Sequence, residues 1–150
     1  MFAEVMQEDF YRDYRMQLER LLGISLEKTN QDIHELIEAG FTPQRVVPLL
    51  QLYLQTCSDP AQIRSIERML YESSAITRRM SARESDELFR FGHITAMAQV
   101  IFGDDARATR WLSKPKERFD GRKPYNLLST TIGTEEVERM LIQVYEAFAL

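Results

Sequence analysis

Apolar residues recur at intervals of three and four along most of this chain, and the strict alternation of a half-buried strand is hard to find. Phe10, Tyr14, Leu18, Leu21 and Leu22 share such a register. So do Val137, Met140, Leu141, Val144, Tyr145 and Phe148. At 3.6 residues per turn these intervals bring the side chains onto one helical face, and that face must be buried against another element. The chain is therefore expected to be all-α.

Local punctuation divides the helices. Gly23 stops the first. A second follows Asn30, carries Ile33, Leu36 and Ile37, and ends at Gly40, where glycine accepts a left-handed backbone. Thr42-Pro43 and Asp59-Pro60 each read as a cap with proline at the first helical position, and Pro48 delays or bends the helix between them. Ser81 and Glu84 have capping-box spacing, so a helix starts near Ala82 and runs through Leu88, Phe91, Thr95, Ala98 and Phe102 to Gly103. Asp104 or Asp105 caps the next helix, with Ala108, Trp111 and Leu112 pointing inward. Pro124 opens a short helical turn. Thr134 is expected to cap the last helix, placing Glu135 and Glu136 in its first turn, where the dipole favours anions. The apolar stripe of that helix continues close to Leu150, which suggests that it docks onto something.

Two regions are expected: residues 1–80, a helical region for helix-turn-helix-like folding and dimerisation, and residues 81–150, a second helical domain. No repeat, low-complexity tract or long linker separates them. With 44% hydrophobic and 28% charged residues, the chain has the balance of a folded domain and not of a disordered one. The lone Cys57 excludes an intramolecular disulfide, fits a reducing compartment and reads as a small buried hydrophobe. Charges throughout the first twenty residues exclude a signal peptide, and no apolar run approaches a membrane span, so a cytoplasmic location with no membrane partner is expected.

Catalysis requires converging groups, and they are missing. His34 and His93 are far apart in sequence and neither belongs to a ligand-spaced cluster. His93 sits in an apolar helix and reads as a satisfied core histidine. There is no nucleophile elbow, phosphate loop, dinucleotide fingerprint or zinc-protease motif. No catalytic residue, metal site or cofactor is assigned, and the chain reads as a binder. The net charge of −4 argues against bulk attraction to nucleic acid or anionic lipid. Within residues 106–123, however, Arg107, Arg110, Lys114, Lys116, Arg118, Arg122 and Lys123 face only Glu117 and Asp120, seven positive against two negative. This is either a solvated face or a docking surface.

The short helices between Asn30 and Met80, with turns near Gly40 and Ser58, could form a helix-turn-helix module. Residues 66–80 would then form or flank the recognition helix, with Arg68, Arg78 and Arg79 as the DNA-binding candidates. A strong major-groove reader would carry more Arg, Lys, Asn or Gln on adjacent turns.

The C-terminal region resembles the toxin-binding domain of Xre/ParS/MbcA-type antitoxins. The residues that carry the likeness are Ile101-Phe102-Gly103, Trp111-Leu112, Pro115, Gly121, Pro124, Leu127-Leu128, Thr131, Gly133, Val137 and Leu141, with residues 84–90 upstream. The resemblance covers roughly residues 81–150. It implies a Cro-like helix-turn-helix-related region followed by a helical toxin-binding domain. It also implies a homodimer that covers the approach to the active site of a RES-domain, NAD-degrading toxin and can repress its own operon. Carried onto this chain, the toxin-binding candidates are Tyr145, Phe148, Ala149 and Leu150 at the end of the last helix, and Lys114, Lys116, Arg118, Arg122 and Lys123 in the basic loop. The N-terminal half departs from the family pattern. Where family members carry Arg-Thr-Leu followed by basic residues, this chain has Arg68-Met69-Leu70 and then Tyr71, Glu72, Ser73 and Ser74. Two other readings stay open: a free-standing helix-turn-helix transcriptional regulator, and a scaffold that recruits a partner without inhibiting it.

Overall fold

The computed structural model describes residues 7–56, 58–71 and 78–148. The expectations for Cys57, Ala149 and Leu150 lie outside them, as do residues 72–77. The described α-helices are α1 (Glu8–Leu22), α2 (Asn30–Ala39), α3 (Val47–Thr56), α4 (Pro60–Tyr71), α5 (Ala82–Phe102), α6 (Asp105–Leu112) and α7 (Thr131–Phe148). Short 3-10 turns occur at Pro43–Val46, Glu117–Phe119 and Pro124–Leu127. An all-α fold is what the three-four spacing requires.

Packing divides the chain into two compact units, Leu18–Gly92 and a discontinuous one formed by Met1–Gln17 with His93–Leu150. The divisions fall inside α1 and α5, away from the expected boundary at 80/81. They fall there because α1 buries its first aromatic residues in one core and its last leucines in the other.

In the unit Leu18–Gly92, α2 begins with a complete capping box. Thr29 Oγ1 accepts from Asp32 N at 3.1 Å, and Thr29 N donates to Asp32 Oδ2 at 2.9 Å. Donation from the Thr29 backbone N–H, and then from the Thr29 hydroxyl, holds the Asp32 carboxyl below its ordinary range. Gly40 ends α2 at φ +88, and a Cβ there would lie 2.0 Å from the Met80 carbonyl oxygen. The approach is locked from both sides: Met80 N donates to Phe41 O at 2.8 Å, and Phe41 N donates to the buried Ser85 Oγ at 2.9 Å. Pro48 occupies the second position of α3, where a backbone N–H has no intrahelical acceptor; Pro43–Val46 form a 3-10 turn and the α-helix begins only at Val47, the later start expected from Pro48. Leu21, Leu22, Ile24, Val46, Leu49 and Leu50 form the core, and Tyr53 meets Phe91 edge-on at 4.7 Å.

In the discontinuous unit, Phe10 and Tyr14 of α1 join Ile94, Met97 and Ile101 of α5, Leu112 of α6, and Val137 and Leu141 of α7, all buried. Gly103 closes α5 at φ +67, and Asp104 caps α6 through Asp104 Oδ1 and Ala106 N at 2.9 Å. The last helix starts at Thr131, four residues before the Glu135 start expected from a cap at Thr134. Thr130 Oγ1 accepts from Gly133 N at 3.0 Å, while Thr134 is buried within the helix and donates its hydroxyl to Thr130 O at 2.8 Å. A threonine bonding back to a carbonyl four residues earlier resembles a cap in sequence but lies inside the helix.

Candidate functional site

His93, half-buried on α5, belongs to the discontinuous unit. Its Nδ1 is 2.6 Å from the Tyr14 hydroxyl and its Nε2 is 3.4 Å from Glu138 Oε2. A tautomer with the proton on Nε2 accepts from the phenol and donates to the carboxylate, which satisfies both ring nitrogens. Burial pushes the Tyr14 phenol well above its usual range, so it remains a neutral donor. The histidine thus links α1, α5 and α7 as a structural tie. Among the described residues no group of three or more His, Cys, Asp or Glu side chains is placed to hold a metal.

The basic loop is a tight reversal. Lys116 N donates to Arg122 O at 3.1 Å, and Gly121 N donates back to Lys116 O at 2.9 Å. Asp120 and Gly121 both take positive φ, which turns the chain within a few residues. Phe119 is pinned in the core, and as a consequence Lys114, Arg118, Arg122 and Lys123 project outward as exposed side chains. Arg118 Nη1 donates to Gln143 Oε1 at 2.5 Å, tying the loop to α7.

The loop leads onto an aromatic ledge. Lys116 Nζ stands 4.5 Å from the Trp111 ring centroid. Partial burial lowers its pKa, and the neighbouring charge of Lys114 lowers it further. Phe102 lies 5.8 Å from Trp111 and 6.0 Å from Phe148, the latter nearly perpendicular. Phe148 keeps 64% of its surface exposed. Tyr145 is half-buried and packs edge-on against Phe10 at 4.7 Å, so its ring belongs mainly to the fold. Trp111 was expected inside; it is only half-buried and carries the lysine. Sequence reasoning gave Phe102 and Trp111 core roles, because spacing identifies a face but not where that face ends. Ile132, at the start of α7 and 75% exposed, was also missed.

Arg68, Arg78 and Arg79 are brought together. They line one cavity of about 410 Å³ with Ser65 and Glu84, and Arg79 Nη1 donates to Gly40 O at 3.0 Å. Arg78 and Arg79 lie in irregular backbone, so of the two alternatives for residues 66–80, helix or flank, these two arginines take the flank. The described helix α4 ends at Tyr71.

This arrangement, a helical domain offering exposed aromatic and basic side chains without a catalytic constellation, is that of a protein-binding module. Residues 97–146 match the model of the antitoxin Xre/MbcA/ParS C-terminal toxin-binding domain. The whole chain aligns with Antitoxin Xre of Pseudomonas putida strain KT2440, at 41% identity over 153 aligned residues that cover 94% of that protein. The chain belongs to the Xre/MbcA/ParS antitoxin family, whose members are binders and not enzymes. None of the described helices is long and apolar enough to cross a membrane.

Proposed function

We propose that this antitoxin neutralises a RES-domain, NAD-degrading toxin in the cytoplasm by covering the approach to the toxin's active site. The observation that carries the reading is Phe148, a large apolar side chain exposed beside Phe102, Trp111 and Lys116 at the end of the toxin-binding domain. Neutralisation requires slow dissociation, and nanomolar affinity corresponds to about −12 kcal/mol. Exposed ion pairs contribute about 0–1 kcal/mol each, so apolar anchors must supply much of the rest. Phe148 and the ledge fill that role, with Ala149 and Leu150 continuing beyond it and Tyr145 holding the helix in register. Lys114, Lys116, Arg118, Arg122 and Lys123 steer an acidic rim of the toxin toward the ledge. The test is NAD consumption by the RES-type protein encoded beside this gene, with the full chain, with Phe148→Ala and with a chain ending at Tyr145. The full chain should stop NAD loss and both variants should lose potency. Unchanged NAD loss with the full chain rejects the reading.

The family resemblance also motivates a second role, autorepression by a homodimer through residues 1–80. Its support is the cavity that gathers Arg68, Arg78 and Arg79, because guanidinium groups match phosphate oxygens in bidentate geometry. Replacing the three by Ala should abolish salt-dependent binding to the operator while toxin inhibition persists. If operator affinity survives the triple change, the cavity has no part in DNA contact.

A further inference from the structure

The cavity that gathers Arg68, Arg78 and Arg79 lies within the unit Leu18–Gly92 and also has Pro43, Met69 and Met80 in its lining. Small-molecule sites take this form: a concavity of about 300–1,000 Å³, largely apolar, with a few converging polar groups. At about 410 Å³ the cavity falls in that range. Duplex DNA is met by side chains that project from a surface, whereas Arg79 is held against the protein's own backbone at Gly40 O.

Its frame is fixed. Met80 N donates to Phe41 O at 2.8 Å, which pins the backbone beside Arg79 against the end of α2. Glu84, the one carboxylate in the lining, accepts from Ser81 N at 3.3 Å as part of the cap of α5. Three guanidinium groups against one committed carboxylate call for an anion, and their planar forks match phosphate oxygens. A second cavity adjoins the first. It holds about 100 Å³, shares Met69 and Met80 with it, and is lined beyond them by Leu50, Tyr53, Ile66 and Leu88. Methionine sulfur makes favourable contacts with aromatic rings. Gln62 and Glu87 also line this cleft and supply acceptors for an exocyclic amine. The two cavities together thus have a cationic end and an apolar end that carries acceptors.

We infer that this pair of cavities binds a nucleoside diphosphate, with its phosphates among Arg68, Arg78 and Arg79 and its base against Met69 in the cleft beside Tyr53. A lone phosphate would leave the apolar end empty. An acyl chain would have no use for the acceptors of Gln62 and Glu87. A bound nucleotide and an operator phosphate would compete for the same guanidinium groups, so occupancy of the site would oppose DNA contact. The inference goes beyond the operator reading and does not depend on it.

The test is calorimetric titration of the full-length chain with ADP, adenosine and inorganic phosphate, for wild type, Arg78→Ala and Gln62→Ala. Both substitutions fall at exposed positions, and thermal melts establish that each variant is folded. Wild type should bind ADP more tightly than adenosine or phosphate. Arg78→Ala should weaken ADP binding tenfold or more, and Gln62→Ala should weaken it severalfold while leaving phosphate unchanged. No ADP binding at millimolar concentration, or an ADP affinity that either variant leaves unmoved, overturns the inference. Equal affinity for ADP and phosphate means an adventitious ion only, and overturns it too. A duplex carrying the operator separates the two readings of the cavity, and displacement of that duplex by ADP supports the site. If the duplex needs Arg78 while ADP neither binds nor displaces it, the guanidinium groups serve the DNA backbone and the inference is wrong. If ADP binds and the duplex does not, the operator reading fails and the nucleotide site stands.

Discussion

Gly133 offers the sharpest test, because two physical effects predict opposite signs. It is the third residue of α7, and in a helix Ala is favoured over Gly by up to about 1 kcal/mol. On propensity alone, Gly133→Ala stabilises. In the fold, however, a Cβ at this position would lie 2.0 Å from the Leu127 carbonyl oxygen and 3.1 Å from Thr130 Oγ1. Carbon–oxygen contacts settle near 3.3–3.6 Å, so roughly 1.3 Å or more of displacement is required. The obstructing atom is backbone, and it belongs to the turn Pro124–Leu127, which buries Leu127 at 9% exposure. It cannot rotate away as a side chain tip would. Overpacking of this kind costs about 1–3 kcal/mol, which exceeds the propensity gain. For a chain of 150 residues a net loss near 1–2 kcal/mol lowers the Tm by about 2–8 °C. Thermal denaturation followed by circular dichroism reads this directly. Ile132→Ala, at a 75% exposed neighbouring position, is the control and should stay within about 0.5 kcal/mol of wild type. A Tm for Gly133→Ala at or above wild type would refute the close approach of α7 to Leu127.

Tyr14→Phe removes the hydroxyl 2.6 Å from His93 Nδ1 and leaves that nitrogen buried without its donor. It should cost about 1–3 kcal/mol in urea denaturation, and an unchanged midpoint would show that the contact contributes nothing. Burial also raises the Tyr125 phenol from 10.0 to about 12, against a smaller lowering by the nearby Thr95 and Thr109 side chains. The unfolded chain therefore ionises first: this stabilisation is complete below pH 10 and is lost as pH rises toward 12, by about 2–3 kcal/mol. Tyr125→Phe should flatten the fall in stability over that window, and an identical pH profile would contradict the assignment. Trp111 is the one tryptophan in the sequence, so its emission should shift when the toxin covers the ledge, and Lys116→Ala should change the emission of the free chain. An emission spectrum indifferent to a bound toxin would place the contact elsewhere.

The helices were legible because their signals are local. Ser81 and Glu84 form the reciprocal cap that their spacing implies, with Glu84 N donating to Ser81 Oγ at 3.1 Å, and Gly103 takes the left-handed conformation expected of a stop. Thr134 misled because an internal threonine bonded to the carbonyl four residues back has the same sequence appearance as a cap. The ledge was hidden for a different reason. Phe102 and Trp111 fall on apolar faces, but whether such a residue closes the core or rims a surface depends on contacts made by Lys116 and Phe148, fourteen residues or more away from Phe102. Arg68, Arg78 and Arg79 were chosen for their charge. Their convergence on one cavity depends on the clamp between Gly40 and Met80, a contact forty residues long in sequence.

That dependence on distant contacts bears on what a toxin-binding domain is in this chain. The family match begins at residue 97, yet the helix bearing Phe148 is held partly by α1: Phe10 packs on Tyr145, and Tyr14 reaches His93, which in turn faces Glu138. Burial of each aromatic ring contributes about 1.5–3 kcal/mol, against a total stability of about 5–15 kcal/mol for a domain. Removing both would therefore take away a large share of what keeps α7 in place. Because binding energy at an interface falls when the docking groups must first be ordered, changes at Phe10 or Tyr14 would weaken toxin binding without touching the toxin. The recognition unit is defined by packing, and it recruits α1 to hold α7.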